Sequence, residues 1–132
     1  MNKIFKVGLI GCGHISETYF RAEKYFNNIK IVKCADINLI NAKKCAQINK
    51  IKATTVKKLL EDKEIEIILN LTIPKAHYQV AKQALTNGKH VYSEKPLAIN
   101  FKDGQELLKL SKKKKLYICL LYTSPSPRDV EE

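Results

Sequence analysis

In the stretch Lys6-Val-Gly-Leu-Ile-Gly-Cys-Gly-His-Ile-Ser16, an apolar run ends at two closely spaced glycines and a helical pattern begins at once. A strand, a glycine turn and a helix N-terminus in that order make a cradle for the pyrophosphate of a dinucleotide. Gly11 permits the sharp turn, and Gly13 carries no Cβ to obstruct approaching phosphate oxygens. A helix starting near His14 or Ile15 offers unpaired N–H groups and the positive end of its dipole. A second apolar run, Ile29 to Ala35, leads to Asp36, whose carboxylate could accept from both hydroxyls of an adenosine ribose. Ser16 stands where the pattern has its third glycine, and serine is small enough for helix–strand packing.

The elements that must position these residues follow from periodicity. Strands are expected at 4–10, 29–35, 51–54, 65–71, 90–92 and from 116 to 118 or beyond. Helices are expected at 15–26, 39–48, 56–61, from Pro74 to the Asn87-Gly88 stop, and 101–113. In the first helix Ile15, Tyr19, Ala22 and Phe26 share a stripe, and Thr54 or Thr55 caps the third. The run from Ile65 to Leu71 is almost wholly apolar, as suits a strand covered on both faces. Repeated βα units of this length predict an α/β fold, a Rossmann-type doubly wound parallel sheet. Gly11, Asp36, Thr72 and Glu94 then all fall at the carboxyl ends of strands, where such sheets bind ligands.

Bulk properties set limits. At 132 residues the chain is one domain. No apolar run reaches the ~20 residues of a membrane span, and no signal-peptide h-region opens it. Cys12, Cys34, Cys45 and Cys119 show no C-x-x-C pairing, so neither a metal centre nor a disulfide framework is indicated and a reducing, cytoplasmic setting fits. The net charge of +11 raises nucleic-acid binding. However, all basic residues but Arg21 and Arg128 are lysine, they are scattered, and only Lys112 to Lys115 form a run, at a helix end. The balance reads as codon bias in an AT-rich genome, and no nucleic-acid partner is expected.

Two further segments, Asn70-Leu-Thr-Ile-Pro-Lys-Ala-His77 and Gly88-Lys-His-Val-Tyr-Ser-Glu-Lys-Pro-Leu97, narrow the reading. With the N-terminal turn they make the chain resemble the Gfo/Idh/MocA family of glucose–fructose oxidoreductases and inositol dehydrogenases, in order from about residue 3 to residue 118. The resemblance implies an NAD(P)-binding domain of an oxidoreductase acting on a sugar, cyclitol or similar polyol. It places Gly11, Gly13, His14 and Ile15 at the pyrophosphate and Asp36 at the ribose, favouring NAD over NADP because a carboxylate repels a 2′-phosphate. It sets Thr72, Ile73 and Pro74 in a loop beside the cofactor, with Glu94 and Lys95 in the Glu-Lys-Pro motif. Lys95 is the implied catalytic residue, holding the substrate oxygen and moving its proton. His77, on the first turn of a helix, either touches the nicotinamide side of the pocket or packs and caps. His90 is expected to be structural.

From Cys119 the chain turns to Cys-Leu-Leu-Tyr-Thr-Ser-Pro-Ser-Pro-Arg-Asp129, which suits neither helix nor strand. The string matches one reading frame of a common sequencing adapter, so 1–118 is expected to be the domain and 119–132 a non-native tail. In relatives a second, larger domain follows, which supplies most of the substrate pocket and a homo-oligomeric interface. The chain alone is therefore expected to be inactive. A stand-alone nucleotide-sensing module without catalysis is the alternative.

Overall fold

Residues 3–25, 27–94 and 98–121 are described by the computed structural model. Its strands are β1 (Phe5–Ile10), β2 (Ile29–Ala35), β3 (Lys52–Thr54), β4 (Ile67–Asn70), β5 (His90–Glu94) and β6 (Ile118–Leu121). They form one parallel sheet in the order β3-β2-β1-β4-β5-β6. The helices are α1 (Ser16–Glu23), α2 (Leu39–Asn49), α3 (Val56–Glu61), α4 (Pro74–Thr86) and α5 (Phe101–Lys114). The chain winds outward from β1 to β3, then returns to lay β4 on the other side of β1. This is the doubly wound Rossmann order, with its switch point between β1 and β4.

Alternation along the central strands divides the core in two. Val7, Leu9, Ile67 and Leu69 pack with Phe20 of α1 and with Cys45 and Ala46 of α2. Ile10, Ile68 and Val91 pack on the opposite face with Leu59 of α3, Ala81 and Leu85 of α4, and Leu107 of α5. Local chemistry fixes the helix starts. Asn38, Thr55 and Asn100 each accept a backbone N–H with the side chain, from Ile40, Lys58 and Asp103 respectively. Left-handed Lys50 and Lys115 end α2 and α5.

The observed elements differ from expectation mainly at their ends. Helix α1 stops at Glu23, and Phe20 rather than Tyr19 is its fully buried aromatic, because Tyr19 sits at the edge of the same cluster. Phe26, expected on the stripe, lies outside the described residues. Strand β5 continues through Glu94, and β6 runs on through Leu121, pairing Glu94 with Leu121. Cys119 and Leu120 therefore belong to the sheet, and the expected domain edge at residue 118 falls inside this strand. Among the described residues no helix is long and apolar enough to cross a membrane.

Candidate functional site

The carboxyl end of β1 meets that of β4 without room for a side chain. Gly11 has φ +106°, and a Cβ there would lie 2.5 Å from the carbonyl oxygen of Leu71. Only glycine satisfies both constraints. Gly13 is different, since a Cβ built on it meets nothing within 4 Å. The protein's own packing leaves that side of the turn open.

Three amides follow in the open stretch. Among the described residues those of Gly13, His14 and Ile15 donate to no protein acceptor, whereas Ser16, Glu17 and Thr18 turn back onto Gly13, His14 and Ile15 carbonyls. Ser16 is 4% exposed, and its Oγ donates to the Gly13 carbonyl at 2.7 Å. The serine in the third-glycine position thus ties the first helical residue to the turn. The His14 side chain is exposed.

Asp36, just past β2, is half-buried and joins this turn directly. Its Oδ2 accepts the Cys12 N–H at 2.7 Å, and its Oδ1 accepts the Asn38 N–H at 2.8 Å. A carboxylate has about four acceptor positions, so two amides leave capacity for ribose hydroxyls. Across the switch point, Asn70 at the end of β4 is fully buried. Its Nδ2 donates to the His77 carbonyl at 3.0 Å, and its Oδ1 accepts the Thr72 hydroxyl at 2.7 Å. His77 is 2% exposed, with Nε2 2.6 Å from the Thr72 carbonyl oxygen. Together they hold the 71–74 loop, from which Ile73 projects 64% exposed and Pro74 opens α4.

The site residues expected from the sequence therefore converge unevenly. Gly11, Gly13, His14, Ile15 and Asp36 share one turn; Thr72, Ile73 and Pro74 share the neighbouring loop. His77 braces that loop from within the protein. Glu94 ends β5 on the same sheet edge, while Lys95 lies outside the described residues. Asn70, bonded to both Thr72 and His77, is a residue the sequence reading misses as part of this region. The signal for it is a lone polar residue closing the apolar run of β4. His90 accepts the Tyr117 N–H with Nδ1 at 3.0 Å and lies against its ring at a 33° tilt.

A 620 Å³ groove between α1 and α2 touches the turn through Cys12, Gly13 and His14, but neither Asp36 nor Thr72 lines it.

Comparison with known proteins agrees with this geometry. Residues 5–122 match the family described as an oxidoreductase family with an NAD-binding Rossmann fold. The chain belongs to the Gfo/Idh/MocA family. It is 31% identical over 114 residues to an inositol 2-dehydrogenase/D-chiro-inositol 3-dehydrogenase of Lactiplantibacillus plantarum, covering 83% of this chain and 33% of that protein. Its fold matches the WlbA dehydrogenase of Chromobacterium violaceum, solved with NADH and UDP-GlcNAcA, at TM-score 0.85 and 24% identity, over 92% and 36% of the two chains. Biliverdin reductase from Synechocystis, solved with biliverdin and NADP+, matches at TM-score 0.81 and 27% identity over 87% and 37%. The chain spans about a third of the length of these relatives.

Proposed function

We propose that this chain is the cofactor-binding part of a cytoplasmic, NAD-preferring dehydrogenase acting on a sugar, cyclitol or similar polyol. The reading is carried by the open Gly13–Ile15 amides lying beside a carboxylate, Asp36, that is already tied to the same turn. Amides without an acceptor suit the pyrophosphate oxygens, and the absence of a Cβ at Gly13 gives those oxygens room. Asp36 accepts from a diol and opposes a 2′-phosphate, which supports NAD over NADP. The nicotinamide, when bound, supplies the hydride acceptor. The 71–74 loop, braced by Asn70 and His77, flanks it.

Lys95, following Glu94 in the Glu-Lys-Pro segment, is proposed as the catalytic residue that holds the substrate hydroxyl and takes its proton. The substrate pocket and the homo-oligomeric contacts are assigned to sequence beyond the matched third, so residues 1–132 alone are expected to bind nucleotide without turnover. The test is a screen of inositols, hexoses and hexose 1-carboxylates with NAD, following absorbance of the reduced cofactor. Activity from a longer chain continuing the domain, lost in Lys95→Ala with NADH binding retained, supports the reading. Turnover by residues 1–132 alone contradicts it. The sensing-module alternative predicts no turnover from any longer chain.

A further inference from the structure

Cys12 in the glycine turn, Cys34 in β2 and Cys45 in α2 come from three separate elements, yet their sulfur atoms all lie within 4.8 Å of one another. Cys34 and Cys45 are buried and Cys12 is half-buried. Buried cysteines often serve only as small apolar side chains. Three facts set this group apart. First, the sulfurs converge on each other rather than dispersing into the surrounding apolar core. Second, the groove between α1 and α2 opens onto Cys12 and Cys45, giving a route from solvent, and Arg21, Lys24 and Lys44 line it. Third, Asn49 lies beside the group, its Nδ2 2.9 Å from the Cys45 carbonyl oxygen and 3.8 Å from the Cys45 sulfur.

We propose that Cys12, Cys34 and Cys45 form a three-thiolate site for a soft d10 cation. A metal–sulfur distance of ~2.3 Å puts the sulfurs of a three-coordinate site about 4 Å apart, so the widest pair has less than about 1 Å to close. Thiolates select soft ions, and three sulfurs with no histidine or carboxylate in the group among the described residues suit Cu(I), or Zn(II) and Cd(II) completed by solvent. Binding exchanges protons for the metal. The Cys12 and Cys34 thiols now face the Ala35 and Ala42 carbonyls at 3.4 Å each, and those weak contacts would be given up. The cationic rim of the groove favours the thiolate form. The site is independent of the dehydrogenase reading, since none of the sulfurs is needed to hold nucleotide.

The test is anaerobic titration of the reduced chain with Cd(II), following the thiolate-to-cadmium charge-transfer absorption. The proposal expects saturation at one equivalent. Removal of a ligand should cost at least the ~10–100-fold that loss of a supporting partner costs. Cys12→Ala and Cys45→Ala should therefore each weaken binding about tenfold or more, whereas Cys119→Ser should leave it unchanged. Cys12 is only half-buried, so Cys12→Ala stands alone if Cys45→Ala fails to fold, as judged by circular dichroism. Absence of the charge-transfer band, equal binding in Cys12→Ala, or loss of binding in Cys119→Ser would each overturn the proposal.

Discussion

The Asp36 carboxylate accepts the backbone N–H of Cys12 at 2.7 Å, which ties the end of β2 to the glycine turn at the end of β1. One side chain therefore shapes the turn proposed to cradle the pyrophosphate and is itself the residue proposed for the ribose. Asp36→Ala should weaken NADH binding about tenfold or more, the scale of hydrogen bonds to a charged group. It should also narrow the gap between NADH and NADPH. Fluorescence titration of both nucleotides checks this, and an unchanged preference would remove Asp36 from the ribose site.

The two glycines of the turn should fail differently. Gly11→Ala forces a Cβ to within 2.5 Å of the Leu71 carbonyl at a φ of +106°, so the folded state should be lost or destabilised by several kcal/mol. A Cβ at Gly13 meets nothing within 4 Å, so Gly13→Val should stay folded while losing nucleotide. Thermal melts paired with NADH titration separate the two effects. Unfolding of Gly13→Val would show that the residue serves packing.

Much of this was legible in the sequence because its causes are local. The positive φ of Gly11 belongs to its own turn, and β4 announces itself by an almost wholly apolar run, whereas the Leu71 carbonyl that excludes a Cβ at Gly11 comes from a distant strand end. Asn38, Thr55 and Asn100 start helices by bonds to residues two or three positions on. The rest depends on how distant elements meet. The three-sulfur cluster has no short-range spacing to betray it, since β2 and α2 bring Cys34 and Cys45 to Cys12 only in the folded sheet. Lys89, one lysine among many, is 4% exposed, with Nζ donating to the Asp62 and Ile65 carbonyls at 2.6 and 2.8 Å. Nothing in its neighbours separates it from a surface lysine.

Asn70→Ala should loosen the loop beside the proposed cofactor. The substitution removes the buried side-chain bonds to the His77 carbonyl and from the Thr72 hydroxyl, together worth about 1–3 kcal/mol. Denaturant unfolding should show that loss, with weaker NADH binding in the protein that remains folded. A stability change below about 0.5 kcal/mol would mean the loop is held by other contacts.

At the opposite end of the sheet, Asp62 pairs with Lys33, and that cation holds the Asp62 carboxyl below its ordinary value of 3.8. A depressed folded-state value means the pair's contribution is present above 3.8 and is lost as pH falls through the lower, folded value. Asp62→Asn should therefore cost about 1 kcal/mol near neutrality, a figure kept small because both side chains are about one-fifth exposed. The difference from wild type should vanish in strong acid. Urea unfolding at neutral pH and below pH 3 measures it, and a constant difference across that range would argue against the pair.

The central claim is that the open amides of Gly13, His14 and Ile15 receive the pyrophosphate. Amide resonances of isotopically labelled chain, followed while NADH is added, test it most directly. Saturable shifts greatest at Gly13, His14 and Ile15, extending to Cys12 and Asp36 and absent in Gly13→Val, are the predicted result. Saturation with those three amides unmoved, or no saturation at all, would contradict it.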